Sequence, residues 1–346
     1  MSYIKPAALK KGDRVGVISP SAGLPSLFPH IFDEGIKNLQ ELGLEPVEFP
    51  TARMDAKTLY ENPALRARDV NAAFADPSIQ GIISSIGGSD SIRILPYLDL
   101  DVIRDNPKFM MGYSDFTSLH SWIHQQGIIT FNGPSIMAGF SQLKSFSEEY
   151  QNYINRFLFD AWEEFELPDF PSYSNGYPDW RKTENRGRIF QSGTDNGRRW
   201  LQGSQISRGR LFGGCIEVLE MNKGTDYWPA KEFWNGRVLF LETSEEKPPV
   251  DYVRYSLRNY GAMGALERIS GLLISRPRDY SDKEKADLDS AVLSVVNGEF
   301  GLKDLNVVSN MSFGHTDPQV ILPQGGEVLM NPSDSSIKIA DPVFEY

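Results

Sequence analysis

The sequence holds a single cysteine, Cys215, in 346 residues. One thiol excludes an internal disulfide and any zinc site built on cysteine pairs. Histidine is almost as scarce: His30, His120, His124 and His315 are the whole set, too few and too scattered for a histidine-rich metal cluster. No apolar run reaches the roughly 18 residues that suggest a membrane-spanning helix. The lysines of residues 1–11 are followed by no apolar stretch of the kind a secretory signal needs. A cytoplasmic address without membrane contact is therefore the expectation. Basic residues are outnumbered, 35 against 46 acidic ones, for a net charge of −11. Such a surface repels phosphate backbones and argues against general nucleic-acid binding, although one local site can still accept a nucleotide-sized ligand.

What is present reads as an ordinary globular chain, 40% hydrophobic and 23% charged, long enough for about two domains. Short β-branched or apolar runs at 14–20 (RVGVISP), 45–49, 79–86, 108–112 and 128–131 alternate with helical patterns at 31–44, 64–75, 91–98 and 116–125. That alternation predicts a parallel sheet covered on both faces. From residue 145 to about 203 the periodicity weakens, and 169–185 is rich in Pro, Tyr, Ser, Asn and Gly, as a long loop would be. Periodicity returns at Arg210, with strands at 237–242 (RVLFLE) and 270–275 and helical stretches at 250–260 and 283–297. The division predicted is an N-terminal α/β domain over 1–160, a connector over 161–203 and a C-terminal domain over 204–346.

Three turns have the composition of reactive sites. Ser114, in GYSD at 112–115, lies between a predicted strand and a predicted helix. A serine on such a turn projects its hydroxyl beyond the sheet, and the Asp115 amide beside it can contribute half of an oxyanion hole. Helix capping by Ser114 and Asp115 is the plainer reading of the same four residues. A second junction, IGGSDS at 86–91, has two glycines whose backbone can approach a ligand closely. The third, FGHTDP at 313–318, holds His315 in a loop shaped by glycine and proline rather than by helix packing. His120 and His124, on the helix after Ser114, read as packing residues, and His30 has no visible partner. Cys215 reads as a buried free thiol. A serine nucleophile needs a base, and the base needs an acid. Glu242 at the end of RVLFLE and Glu217 in GGCIE both qualify for the last role, and the residues alone leave that choice open.

Taken together these segments resemble the LD-carboxypeptidase family of serine peptidases, which includes the muramoyl-tetrapeptide LD-carboxypeptidases and the microcin-C immunity proteins. The likeness runs through KPAALKKGDRVGVISPSAG at 5–23, IGGSDS, GYSD and TFNGPS at 130–135. It continues in RLFGGCIEVLEMNKGTDYWP at 210–229, GRVLFLE at 236–242 and FGHTDPQVILPQG at 313–325. The resemblance implies Ser114 as nucleophile, His315 as base, Glu242 as triad acid, and the backbone amides of Gly88 and Asp115 as oxyanion hole. It also implies a Rossmann-like parallel-sheet N-terminal domain, a β-rich α/β C-terminal domain, a homodimer, and neither metal nor organic cofactor. Thr243 stands where aspartate is common, and GGCIE replaces GGNL. Ile86 before the two glycines, with Trp180 and NGRRW at 196–200 in the connector, resembles the immunity-protein branch. The substrate so implied is a peptidyl- or aminoacyl-nucleotide, with Trp180 stacking on a flat group and Glu217 a further substrate contact. Removal of terminal D-alanine from muropeptides is the alternative, and a non-catalytic small-ligand binding protein is the rival from another class.

Overall fold

The structure, a computed structural model, describes residues 3–190 and 193–346. Met1 and Ser2, part of the stretch read for a leader, and Gln191 and Ser192, within the predicted connector, lie outside the described residues.

Sixteen strands are found among the described residues. The first five are β1 (Arg14–Ile18), β2 (Glu45–Glu48), β3 (Gly81–Ser84), β4 (Phe109–Gly112) and β5 (Thr130–Asn132). The middle of the chain contributes β6 (Phe165–Glu166), β7 (Ser172–Tyr173), β8 (Gly193–Thr194) and β9 (Arg199–Gln202). Then follow β10 (Ser207–Cys215), β11 (Arg237–Glu242), β12 (Gly271–Ser275) and β13 (Asn306–Met311). Last come β14 (Leu322–Gln324), β15 (Glu327–Asn331) and β16 (Ser336–Ile339).

The first sheet runs β14-β5-β4-β3-β1-β2, and the second β6-β16-β15-β10-β11-β12-β13-β9. In the first, β1 to β5 are mutually parallel, with helices such as Pro29–Glu41 and Pro63–Ala75 between them. In the second, β10 to β13 are parallel and antiparallel strands flank them on both sides. β3, β4 and β11 are buried at every position, as strands covered on both faces must be. The predicted α/β class, with a parallel N-terminal sheet and a second, strand-rich unit, is what the structure contains.

Two features depart from the sequence reading. The weakly patterned stretch after residue 145 opens with a helix, Glu148–Phe159. Ser147 caps it by accepting from the Tyr150 amide, two glutamates occupy its first turn, and Tyr150, Tyr153, Ile154, Phe157 and Leu158 form its buried face. Their i, i+3, i+4, i+7, i+8 spacing is helical, but the face is largely aromatic and set among Glu, Gln, Asn and Arg, which hides it from a reading keyed to aliphatic runs. Leu322–Gln324, for which the sequence reading named no strand, is an edge strand that pairs antiparallel with β5. An edge position tolerates Pro323 because its missing N–H is not needed by a second neighbour.

That returning strand makes the two sheets one body. A continuous core runs from Val15, Phe109 and Phe131 of the first sheet to Leu211, Phe240 and Val308 of the second, with separate apolar clusters behind each sheet. The carboxyl ends of β4 and β11 consequently meet across a packed junction.

Candidate active site

β4 ends at Gly112, and the chain turns through Tyr113 into the short helical turn Ser114–Phe116 and the helix Thr117–Gln125. Ser114 takes φ of 60°, a left-handed conformation that costs an ordinary residue about 1 kcal/mol or more. The turn tolerates no bulk opposite it: a Cβ on Gly87 would sit 2.9 Å from Ser114 Oγ. Strain and close approach together aim the hydroxyl outward, the geometry of a nucleophile elbow.

Three distant segments meet at this hydroxyl. His315 Nε2 lies 3.0 Å from Ser114 Oγ, and His315 Nδ1 lies 2.9 Å from Glu242 Oε2. The other Glu242 oxygen is 3.5 Å from the Ser114 amide. Glu242 is the last residue of β11, and Cys215 pairs with it from β10 while accepting support from Thr117, whose hydroxyl receives the Cys215 amide at 3.0 Å. His315 sits in the loop between β13 of the second sheet and β14 of the first, so both sheets fix its position. Gly314, at φ of 88°, is needed there because a Cβ would fall 2.2 Å from Glu242 Oε2. Of the two carboxylates the sequence left open, Glu242 is the one in contact with His315 Nδ1.

Asp115 ties the two N-terminal turns together. Its buried carboxylate accepts from Ser21 Oγ and from the amides of Asp90 and Ser91 at 2.9 and 2.8 Å, and its carbonyl accepts from Ser91 Oγ. Burial pushes this carboxyl above its usual range, opposed by those hydrogen bonds. The turn so held leaves little room beside Gly87, where a Cβ would sit 3.4 Å from the Asp115 amide. Gly87, Gly88 and Ser114 line one recess, and Asp115 lies buried behind them.

The imidazole carries two acidic neighbours. Burial alone lowers the proton affinity of His315, but the charge and hydrogen bond of Glu242, joined by Glu245, raise its pKa to about 10. Glu245 Oε2 lies 3.0 Å from His315 Nε2 and is itself held down to about 2, chiefly by that hydrogen bond. Tyr113 meets the imidazole edge-on at 5.0 Å between centroids, and Tyr177 donates to buried Asp317 two residues beyond the histidine.

The site opens into a pocket of about 370 Å³. Phe28, Tyr113, Tyr177 and Trp180 form its aromatic wall, and Glu245 and Arg278 supply charge. Trp180 packs on Tyr177 and edge-on against Phe28, and its Nε1 is buried without a protein partner. Glu217 does not line this pocket. Its carboxylate instead receives the Ser244 amide and hydroxyl at 3.0 and 2.7 Å, bracing the loop after Glu242, and takes the Cys215 thiol at 3.3 Å. Cys215 is buried and free, and its proton is held more tightly by that burial. His120 and His124 are fully buried packing residues. Glu245, Tyr177 and Arg278 were not singled out by the sequence, where they lie in polar stretches without a motif. Among the described residues no three His, Cys, Asp or Glu side chains converge as a metal site requires.

Residues 15–133 match the LD-carboxypeptidase N-terminal domain and residues 208–330 the LD-carboxypeptidase C-terminal domain. The chain belongs to the LD-carboxypeptidase family. Among its relatives, a putative carboxypeptidase of Vibrio cholerae is 28% identical over 99% of this chain and 98% of its own. The probable murein peptide carboxypeptidase of Bacillus subtilis is 27% identical over 99% and 96%. The microcin C7 self-immunity protein MccF of Escherichia coli is 26% identical over 97% and 95%. A crystal structure of an MccF-like protein from Streptococcus pneumoniae in complex with AMP superposes with a TM-score of 0.83, at 29% identity, over 94% of this chain and 98% of that one. Membership makes this LD-carboxypeptidase-family protein a serine-type carboxypeptidase or amidohydrolase. No helix among its described residues is long and apolar enough to cross a membrane.

Proposed function

We propose that the protein is a Ser114–His315–Glu242 hydrolase that cleaves the amide-type bond of a peptidyl- or aminoacyl-nucleotide. The observation behind this reading is the unbroken contact series from Ser114 Oγ through His315 to Glu242, at 3.0 and 2.9 Å, opening on a pocket walled by Trp180. Neutral His315 takes the Ser114 proton as Oγ attacks the acyl carbon. Glu242 holds the ring by Nδ1 and stabilises the imidazolium. The Gly88 and Asp115 amides receive the oxyanion. His315 then hands its proton to the leaving nitrogen, and water releases the acyl group by the same steps in reverse order. Trp180, with Phe28 and Tyr177, offers a flat apolar face and an unused indole N–H, which suit a nucleobase or similar ring. The AMP complex of the streptococcal relative supports the same class of ligand. In this reading the enzyme acts as a cytoplasmic homodimer, as the family resemblance implies.

Arg278 favours a second reading. Arg278 lines the pocket, and a guanidinium there suits a free carboxylate, such as the terminal D-alanine of a muropeptide; a murein peptide carboxypeptidase is among the relatives. Parallel hydrolysis of aspartyl sulfamoyl adenosine and of a muropeptide tetrapeptide ending in D-alanine separates the two. Preferential cleavage of the adenosine compound is expected. Preferential cleavage of the tetrapeptide would replace the first reading by the second, and cleavage of neither would point to a different amide substrate.

A further inference from the structure

Three arginines are buried among the described residues: Arg66, Arg276 and Arg237. Arg66 is clamped by Asp90 through two bonds of 2.8 and 2.9 Å, and Arg276 by Asp195 at 2.9 and 3.2 Å. Arg237, only 6% exposed, makes no ion pair with any described carboxylate. A buried lysine can answer such a situation by releasing its proton, and burial does lower the pKa of Lys108. A guanidinium cannot, so its charge must be met by something else.

Its protein contacts meet it only in part. Arg237 Nε donates to the Phe233 carbonyl at 3.0 Å, Nη2 to the Tyr3 hydroxyl, and Nη1 faces His124 Nε2 at 3.4 Å. Three of five N–H groups are thereby used, all toward uncharged partners. His124 adds no charge, since burial first and Arg237 second hold it neutral at a pKa of about 3. The nearest strand neighbour makes matters worse. Arg210 is in register with Arg237 across β10 and β11, and the two guanidinium groups lie 5.5 and 5.3 Å from the ring centre of Tyr3. Arg210 spends one N–H on the Gly325 carbonyl at 2.8 Å and has no carboxylate partner among the described residues. Both arginines line a cleft of about 940 Å³, with Gln125, Gln126 and Asn235 at its polar edge. Of the acids there, Glu327 is engaged by Arg208 at 2.8 Å, and Glu232 is exposed.

We propose that this cleft is a second ligand site, distinct from the Ser114 pocket, which binds a small oxyanion, phosphate or carboxylate, between Arg210 and Arg237. The free N–H groups of two adjacent guanidiniums offer the forked donor pattern that such anions take. Its position separates it from the reaction: Arg237 opens β11 and Glu242 closes it, roughly 16 Å apart along an extended strand. Occupancy neutralises the buried charge and holds the starts of β10 and β11 and the Tyr3 segment together.

The test is calorimetric titration with inorganic phosphate and, separately, succinate, at ionic strength held constant with chloride, on wild type, Arg210→Ala and Arg237→Gln. Saturable binding to wild type is expected, with Kd raised at least tenfold in Arg210→Ala and hydrolysis by that variant unchanged. Arg210 is partly exposed, so this variant remains informative if Arg237→Gln does not fold. Equal affinity in Arg210→Ala, or no saturable binding to wild type, overturns the proposal. So does a finding by sedimentation that Arg210→Ala abolishes self-association while phosphate still binds, which would give the cleft to a second copy of the chain.

Discussion

Glu245 Oε2 and Ser114 Oγ each lie 3.0 Å from the same atom, Nε2 of His315. One nitrogen cannot serve both a carboxylate and a nucleophile during proton transfer. The Glu245 side chain is about half exposed, unlike Glu242, which is fully buried beneath the ring. Glu245 is therefore the partner that can leave, and in the proposed mechanism it occupies the place beside Nε2 that the leaving nitrogen of a substrate takes. Displacement removes one of the two negative neighbours and makes His315 a base nearer neutrality.

The pH dependence follows from that geometry. With His315 at about 10 in the free protein, the neutral base is scarce at neutral pH, and kcat/KM rises toward alkaline pH, since this parameter reports the free enzyme. Glu245→Gln removes a negative neighbour, lowers the proton affinity and moves the acidic limb of the profile down by roughly one unit. An unmoved limb would show that Glu245 does not govern the base. Stability changes in the opposite sense. A folded-state pKa above the ordinary value of 6.5 contributes stability that is complete below pH 6.5 and lost as pH rises through about 10. Chemical denaturation across that window reads the loss.

Trp180→Ala separates recognition from chemistry. Stacking on one aromatic ring contributes about 1–3 kcal/mol per base. The variant should accordingly raise KM for aspartyl sulfamoyl adenosine about tenfold or more, with kcat little changed. Turnover of a muropeptide should be unaffected. Equal losses on both substrates would mean that Trp180 shapes the pocket and reads no ring.

Gly314→Ala tests how closely the proposed triad is packed. The new methyl group would meet Glu242 Oε2, and the backbone would be held at φ of 88°. Together these should cost about 1–2 kcal/mol of stability and, by displacing His315, about 100-fold or more in kcat. Thermal unfolding and steady-state kinetics measure the two effects separately.

Alternating strands and helices made the first sheet legible, and RVLFLE marks β11 residue for residue. Ser114 and His315 stood out because turn-forming residues flank them, and such turns expose side chains. The helix Glu148–Phe159 did not stand out, since tyrosine and phenylalanine make up most of its buried face. Glu245 was invisible for a different reason. Its contact with His315 exists only because the loop after β11 folds back under bonds from Ser244 to Glu217, and nothing local in Ser-Glu-Glu-Lys announces that. The uncompensated charge of Arg237 is likewise a fact of tertiary structure, since a basic first residue of a strand is ordinary until its neighbours are known.

Ser114 is the proposed nucleophile. The direct measurement is the rate of aspartyl sulfamoyl adenosine hydrolysis by Ser114→Ala against wild type, with both proteins shown to be folded. Loss of at least about 10⁴-fold in kcat is predicted, in line with removal of a triad nucleophile. Turnover by Ser114→Ala at the wild-type rate would contradict the account.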